Sequence, residues 1–181
     1  MRGTLSPGPS PAARARGDRP RLRCPIAPRP RSGRGEGERA GSRVSILGAN
    51  RFRALPSRST LARWIRCALQ RSARITLVLA DARTARRLNR TYRQRDYATN
   101  VLTFCYQDRP LVLADVVVCV SVARAEAARQ GKTLRAHLAH LVIHGVLHAQ
   151  GYDHVRAADA RRMQALEAEH LARLRIANPY E

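Results

Sequence analysis

Long hydrophobic runs and closely spaced cysteines are absent from this chain of 181 residues. A transmembrane helix needs about 18 or more consecutive apolar residues, so we expect no membrane partner. The first residues carry charge but no apolar core segment, so we expect no secretory signal. Scattered cysteines argue against a cysteine zinc site or a disulfide framework and favour a reducing cytoplasm. They are Cys24, Cys67, Cys105 and Cys119.

Acidic and aromatic residues are also scarce. The chain has 13 acidic against 34 basic residues, which gives a net charge of +21, and aromatics make up 4%. The charge favours a polyanionic partner because phosphate neutralises fixed positive charge. Lys132 is the only lysine, and a genome rich in G and C would also favour arginine, so the charge is supporting evidence only. Few aromatics leave few platforms for base stacking.

The composition changes near residue 43. Residues 1–43 hold seven of the ten prolines, seven of the eleven glycines and eleven arginines, with almost no large apolar side chains. Such a segment buries too little surface to offset its ordering entropy, so we expect it to be disordered. It could be a basic RNA-contacting arm, a targeting sequence or, as we favour, a non-functional extension. Residues 44–181 form the predicted folded domain, whose 23 basic and 10 acidic residues give a net charge of +13.

Hydrophobic periodicity predicts an α+β domain with a mixed sheet packed against helices. Two strands in direct succession, followed by three helices, do not fit strict βαβ alternation. The predicted strands are Val44 to Leu47, Ile75 to Ala80, Asn100 to Tyr106 and Leu111 to Val120. The predicted helices are Thr60 to Leu69, one capped by Asp81 and ending near Arg93, one capped by Ser121 and ending at Gly131, Thr133 to Gln150, and Ala157 to Arg175.

Three histidines near the end of the fourth predicted helix suggest a metal site. His144 and His148 are four residues apart, so their rings project from one face of the helix. Gly151 ends that helix, and a short turn returns His154 toward the same face. Three neutral imidazoles can bind Zn²⁺ and leave a fourth position open, which is typical of catalytic sites. We therefore predict one Zn²⁺ per chain.

The other histidines offer alternatives. His140 precedes His144 by four residues, so this pair is stereochemically as good as His144 with His148; His154 decides for the later pair because it supplies a third ligand. His137 and His170 are expected to have structural roles. Gly145 stands where the helical zinc motif of metalloproteases has its general-base glutamate, which argues against peptide hydrolysis.

The segment from His144 to His154 reads His-Gly-Val-Leu-His-Ala-Gln-Gly-Tyr-Asp-His. It resembles the signature of the YbeY family of bacterial endoribonucleases and rRNA maturation factors. The segment from Leu88 to Phe104 is similar to a second family block, and the chain end matches at Met163, Glu167 and Asn178-Pro179-Tyr180. The similarity covers about residues 60–180. It departs from the family pattern at Cys105, where a proline is usual, and at the strand segment Ala114-Asp115-Val116.

The resemblance implies a compact α+β domain with a zincin-like helical metal site. It also implies cleavage of single-stranded RNA, maturation of the 3′ end of small-subunit rRNA, and ribosome quality control. The small ribosomal subunit and its proteins would then be partners. The family's metal ligands correspond to His144, His148 and His154, and its functional arginine corresponds to Arg93.

Arginine suits phosphodiester cleavage because its guanidinium can hold two phosphate oxygens without losing its proton. We therefore expect Arg93 to be catalytic and, with Arg90, to bind substrate. Arg83, Arg86 and Arg87 extend the same helical spacing, so these residues form either a phosphate track or an ordinary solvated face. Asp115 lies within an apolar strand and needs a partner, for which we expect an arginine.

Two other functions remain open. The protein could be a ribosome-assembly factor whose zinc is structural and whose nuclease activity is feeble. It could also be a metalloprotease, although Gly145 argues against this.

Overall fold

The computed structural model describes residues 41–181, so most of the segment that we expect to be disordered lies outside the described residues. The predicted α+β class is confirmed. The strands are β1 (Arg43–Leu47), β2 (Ala73–Ala80), β3 (Val101–Gln107) and β4 (Val112–Cys119). The helices are α1 (Arg58–Ala68), α2 (Ala82–Arg93), α3 (Val120–Arg129), α4 (Leu134–Ala149) and α5 (Ala157–Arg173), and a short 3₁₀ turn covers Ala49–Arg51.

The four strands form one mixed sheet in the order β1-β2-β4-β3. β1, β2 and β4 run parallel, whereas β3 pairs with β4 in the antiparallel sense. This pairing follows from the short connection between β3 and β4, since antiparallel neighbours need only a tight link. β3 lies at an edge of the sheet, because it comes last in the strand order.

Helices cover both faces of the sheet. Alternate side chains of a strand point to opposite faces: Leu77 and Leu79 of β2 face the larger core, which α1, α4 and α5 complete. Val78 and Ala80 face a smaller core, to which α2 contributes Leu88. The helix with the helical candidate metal ligands and the helix with the candidate phosphate ligands therefore pack on opposite faces.

The side chain of Asp81 caps α2 as predicted, accepting a hydrogen bond from the Thr84 N–H. Thr133, predicted as the first residue of the next helix, is instead its N-cap, and its side chain accepts a hydrogen bond from the Ala136 N–H. The prediction that Ser121 caps α3 is wrong. Cys119 is the N-cap residue and makes no side-chain capping bond, because β4 runs directly into α3. The Cys119 N–H still pairs with the Asn100 carbonyl, at 2.8 Å, which leaves no linker in which Ser121 could cap.

The expected arginine partner of Asp115 is also a wrong prediction. Asp115 is buried on β4, where it accepts a hydrogen bond of 2.6 Å from the Tyr106 hydroxyl and another from Thr76. Burial raises its pKa, and these two hydrogen bonds oppose the shift. Hydroxyls on the neighbouring strands thus replace an ion pair, because the strand register brings them onto the same face.

Gly145 fixes the distance between α4 and the sheet. A Cβ atom at this position would overlap Val116 Cγ1 on β4 and crowd Thr103 and Val101 on β3. The Thr103 hydroxyl also donates a hydrogen bond of 3.2 Å to the Gly145 carbonyl. Glycine therefore lets the middle of α4 lie directly on the sheet, with His144 beside the contact.

None of the described helices is both long and apolar enough to cross a membrane.

Candidate metal centre

The structure brings His144, His148 and His154 together. One nitrogen from each ring can be chosen so that the three lie within 4.8 Å of one another. The Nε2 atoms of His144 and His148 are 3.1 Å apart. The His154 ring centroid lies 5.5 Å from that of His144 and 4.9 Å from that of His148. The two helical histidines are half-buried and His154 is exposed, so the group opens to solvent on one side.

A tight turn after α4 carries His154 back to the helix. Gly151 has a φ of +94°, a left-handed conformation that favours glycine. The Tyr152 N–H then bonds to the Leu147 carbonyl at 3.2 Å. Asp153 accepts a hydrogen bond of 2.8 Å from the His154 N–H. The turn is therefore held by its own backbone and by the side chain of Asp153.

The start of the turn is anchored to the chain between α1 and β2. The side chain of Gln150 is buried, accepting a bond of 2.8 Å from the Gln70 N–H and donating one of 2.8 Å to the Ala68 carbonyl. The Tyr152 hydroxyl bonds to the Gln70 side chain at 2.5 Å. These contacts fix the point at which the chain turns toward His154.

Glu167 on α5 orients the histidine group from behind. Its carboxylate is 1% exposed and lies 2.8 Å from His144 Nδ1 and 2.8 Å from His140 Nε2. It also accepts a hydrogen bond from the Tyr180 hydroxyl. Burial pushes the pKa of Glu167 upward, but the three hydrogen bonds outweigh it and lower the pKa to about 2. The charged carboxylate holds the proton of His144 on Nδ1, which leaves Nε2 with a lone pair facing His148.

Electrostatics keep His148 neutral. Burial, together with the neighbouring His144 and His154, lowers its pKa to about 4. A metal ion binds the neutral imidazole, so His148 is in the ligand form at physiological pH. Three imidazole donors, with one ring fixed by a carboxylate, match the donor chemistry that Zn²⁺ prefers.

A second group of potential ligands shares His144. It consists of His140, His144 and Glu167, whose donor atoms also lie within 4.8 Å of one another. In this group the ring nitrogens already bond to the carboxylate, and the buried carboxylate needs those bonds. The arrangement therefore supports a metal group formed by the later histidines, and His140 helps to hold Glu167.

The remaining histidines lie away from this group. His137 is buried and its Nε2 lies 2.8 Å from Glu126, which also accepts hydrogen bonds from Asn100. His170 is buried in α5, and burial lowers its pKa. Among the described residues, neither ring nitrogen of His170 has a hydrogen-bond partner. Both histidines are placed for packing, as the sequence predicts.

Arg90 and Arg93 are exposed in the last turn of α2. Within residues 41–181, neither makes a hydrogen bond or an ion pair with the histidine group. Tyr92 nevertheless packs edge-on against Phe104 of β3, with ring centroids 5.1 Å apart. The adjacent Thr103 contacts Gly145 on the other face. Tyr92, which precedes Arg93, and Gly145, which follows His144, thus contact consecutive residues of β3 from opposite faces of the sheet.

Sequence reasoning missed the roles of Glu167 and Tyr180, which it noted only as points of similarity. A signal was available for Glu167. This residue lies on the buried face of α5 with Met163, His170 and Leu171, and a carboxylate on an apolar face requires hydrogen-bond donors. No comparable signal marks Tyr180, since only the fold brings the chain end to Glu167.

The fold and this site define a class of protein: an α+β domain whose candidate metal centre is formed by one helix and the turn that follows it. A family model described as Endoribonuclease YbeY matches residues 51–175. The chain belongs to this family.

Individual relatives agree with the family match. A protein named Endoribonuclease YbeY from Polaromonas sp. is 54% identical over 134 residues, which is 74% of this chain and 87% of the relative. The protein of that name from Polaromonas naphthalenivorans is 56% identical over 128 residues, or 70% and 84% of the two chains.

A solution structure of a Thermotoga maritima protein is 23% identical to this chain. The match covers 73% of this chain and 91% of that chain, with a TM-score of 0.49.

Proposed function

We propose that this protein is a zinc-dependent endoribonuclease that cleaves single-stranded RNA, with His144, His148 and His154 as the metal ligands. The observation that carries the proposal is the convergence of three imidazole nitrogens, of which His144 Nε2 is oriented by Glu167. Family membership supports the nuclease activity, since the relatives bear that name.

Zinc is the proposed ion because the three donor atoms that these histidines bring together are all imidazole nitrogens, which Zn²⁺ binds readily. Three protein ligands leave a coordination position for water or phosphate. When bound, the ion supplies Lewis acidity at neutral pH. The exposure of His154 supports a catalytic rather than a closed structural centre.

Arg93 is proposed to hold the scissile phosphate. Negative charge accumulates on the non-bridging oxygens during attack, and a guanidinium fork can bind two of them. Arg90 lies one turn earlier on the same helix and would bind a neighbouring phosphate. Because α2 and α4 flank β3 from opposite faces, the RNA strand would cross the edge of β3 to reach both Arg93 and the histidines.

Recognition is proposed to depend on the RNA backbone and on single-strandedness. Aromatic residues are scarce, and Phe104 is buried in the smaller core. Tyr97 is 55% exposed and Tyr152 is half-buried, so these two rings are candidates for stacking on bases. Few stacking platforms favour weak sequence preference.

The biological setting is part of the same proposal. We infer that the substrate is rRNA, at the 3′ end of the small-subunit molecule, and that the protein acts in the cytoplasm with the small ribosomal subunit and its proteins. Ribosome quality control would use the same cleavage.

Cleavage of a single-stranded RNA with and without a chelator tests the proposal. We expect the chelator to abolish cleavage and added Zn²⁺ to restore it. His154→Ala should also abolish cleavage, whereas the neighbouring Val155→Ala should not, since Val155 is an exposed apolar side chain without a metal-binding atom. Both variants alter an exposed turn, so the fold should survive.

Retained cleavage by both the chelated protein and His154→Ala would contradict a catalytic metal. An inactive wild-type protein that contains zinc would instead favour a structural zinc in a ribosome-assembly factor. Casein cleavage would favour a metalloprotease. A 2′,3′-cyclic phosphate on the RNA product would identify the substrate's 2′-hydroxyl as the nucleophile.

A further inference from the structure

We propose that a groove along α2 is a second RNA-binding site, which anchors the phosphate backbone on the face of the sheet opposite the histidine group. The groove has a volume of about 600 Å³ and is lined by Ala82, Arg83, Arg86, Arg87, Arg90, Asp96 and Ala98. The choice of RNA as the ligand rests on the proposed function.

α2 carries a high density of positive charge. The helix carries arginines at positions 83, 86, 87, 90 and 93, and it contains no acidic residue. Residues three or four apart on a helix are neighbours, so these like charges repel and destabilise the helix. A bound polyanion would remove that cost, because phosphates placed between the guanidiniums neutralise them.

Most of the guanidiniums that line the groove are available to a ligand. Within residues 41–181, the guanidiniums of Arg83, Arg87 and Arg90 make no hydrogen bond or ion pair, and all three side chains are exposed. The charge of Arg90 nevertheless acts on Asp96, whose pKa Arg86 lowers most and Arg90 lowers further. Arg86 is engaged differently, since its guanidinium holds both oxygens of Asp96 at 2.9 and 2.7 Å. The groove thus offers three arginine side chains without a hydrogen-bond partner in the described part of the chain, and a fourth, Arg86, that is paired with Asp96 of the same chain.

The groove lies on the face of the sheet opposite the histidines. α2 packs on the smaller core and α4 on the larger one, so the sheet lies between the groove and the histidines. The groove runs along α2 toward Arg93, from which the RNA could continue over the edge of β3. The RNA held here would be a part of the substrate that lies away from the cleaved bond. This part could be a continuation of the single strand or an adjoining duplex. Both present the same phosphate backbone.

The test measures RNA affinity at several salt concentrations, using a single-stranded oligonucleotide and a duplex as separate probes. All proteins carry His154→Ala, so that cleavage does not intervene. The groove variant is Arg83→Ala/Arg87→Ala, which leaves Arg90 in place. The matched control is Arg63→Ala/Arg66→Ala on α1, which removes the same charge from exposed residues of a helix on the other face.

Each phosphate contact contributes about 0.7 to the slope of log affinity against log salt for single strands. We therefore expect the groove variant to reduce the magnitude of this slope by about 1.4 with the single strand, and somewhat more with a duplex, for which each contact contributes about 0.9. The control variant should change it little. The probe that shows this difference identifies the form of RNA that the groove holds. Equal slopes for the groove and control variants with both probes would overturn the proposal.

Asp96→Asn provides a test in the opposite direction. Removing the carboxylate releases Arg86, so RNA should bind more tightly and the magnitude of the salt slope for the single strand should increase by about 0.7. Damage to the fold would not produce this gain. Unchanged or weaker binding would contradict a phosphate site in the groove. RNA binding by the groove in a wild-type protein that cleaves no RNA would contradict the nuclease proposal alone.

Discussion

At the scale of single residues, the candidate metal centre depends on a carboxylate that belongs to none of its elements. Glu167 lies on α5, yet it contacts His140 and His144 of α4 and Tyr180 near the chain end. Its charge is stable because the hydrogen bonds lower its pKa to about 2 against the effect of burial. The orientation of His144 is therefore set by the packing of α5 on α4.

Replacing this carboxylate should weaken metal binding without removing a ligand. We expect Glu167→Gln to lower the affinity for Zn²⁺ by about 10- to 100-fold, because the neutral amide holds the His144 ring less firmly. Competition with a coloured chelator measures this change. Glu169→Gln is the matched control, since Glu169 is an exposed carboxylate on the same helix that bonds to Arg173. Equal affinities for the two variants would show that Glu167 does not orient the ligand.

The residue scale also shows which parts of the site the sequence could predict. His144, His148 and His154 fall within eleven residues of one another, so helical periodicity and one turn suffice to bring them together. Glu167 and Tyr180 join the site only through tertiary packing, which local patterns do not encode. The partner of Asp115 was mispredicted for the same reason, because strand register supplied Tyr106 and Thr76.

At the scale of elements, the close approach of α4 to β3 and β4 positions the histidines. Gly145 permits this approach, since a side chain there would meet Val116 and Thr103. Gly145 therefore has a packing role, in addition to occupying the position at which metalloproteases have their glutamate.

Gly145→Ala should destabilise the fold by about 1–3 kcal/mol through overpacking. Alanine in an unhindered helix would instead stabilise by up to about 1 kcal/mol, so the sign of the change is diagnostic. Chemical denaturation measures it. Adding Val116→Ala removes the obstructing methyl group, and the double variant should be more stable than the sum of the single changes predicts. Strict additivity would contradict the contact.

Most helices and strands were predictable because their apolar spacing and their caps agree. The predicted helix from Thr133 to Gln150 corresponds to α4, whose boundaries are Leu134–Ala149. The start of α3 was mispredicted because β4 enters it without a loop. The short connection between β3 and β4 favours their antiparallel pairing, but local patterns do not specify the places of β1 and β2 in the sheet.

At the scale of the whole molecule, the sheet separates two sets of candidate RNA ligands. The histidines lie on the side of α4 and the arginines on the side of α2, and β3 is the edge between them. A substrate that contacts both must pass over this edge, which a flexible single strand can do more easily than a stiff duplex.

Arg93→Ala should separate phosphate binding from metal binding. We expect the variant to keep its metal and to lose about 10²- to 10³-fold in cleavage rate, because the charge developing on the phosphate loses its ligand. Arg93→Lys should recover only part of the rate, since an ammonium cannot bind two oxygens as a fork. Arg66→Ala, an exposed arginine on α1, serves as the control. A normal rate in Arg93→Ala would remove this residue from the site.

Elemental analysis of the purified protein tests the metal centre most directly. We expect one zinc ion per chain in the wild-type protein and in Arg93→Ala. We expect none in a folded His148→Ala variant, because two imidazoles bind zinc too weakly to survive purification. A well-folded wild-type protein that takes up no divalent metal would contradict the account, and so would full zinc occupancy in His148→Ala.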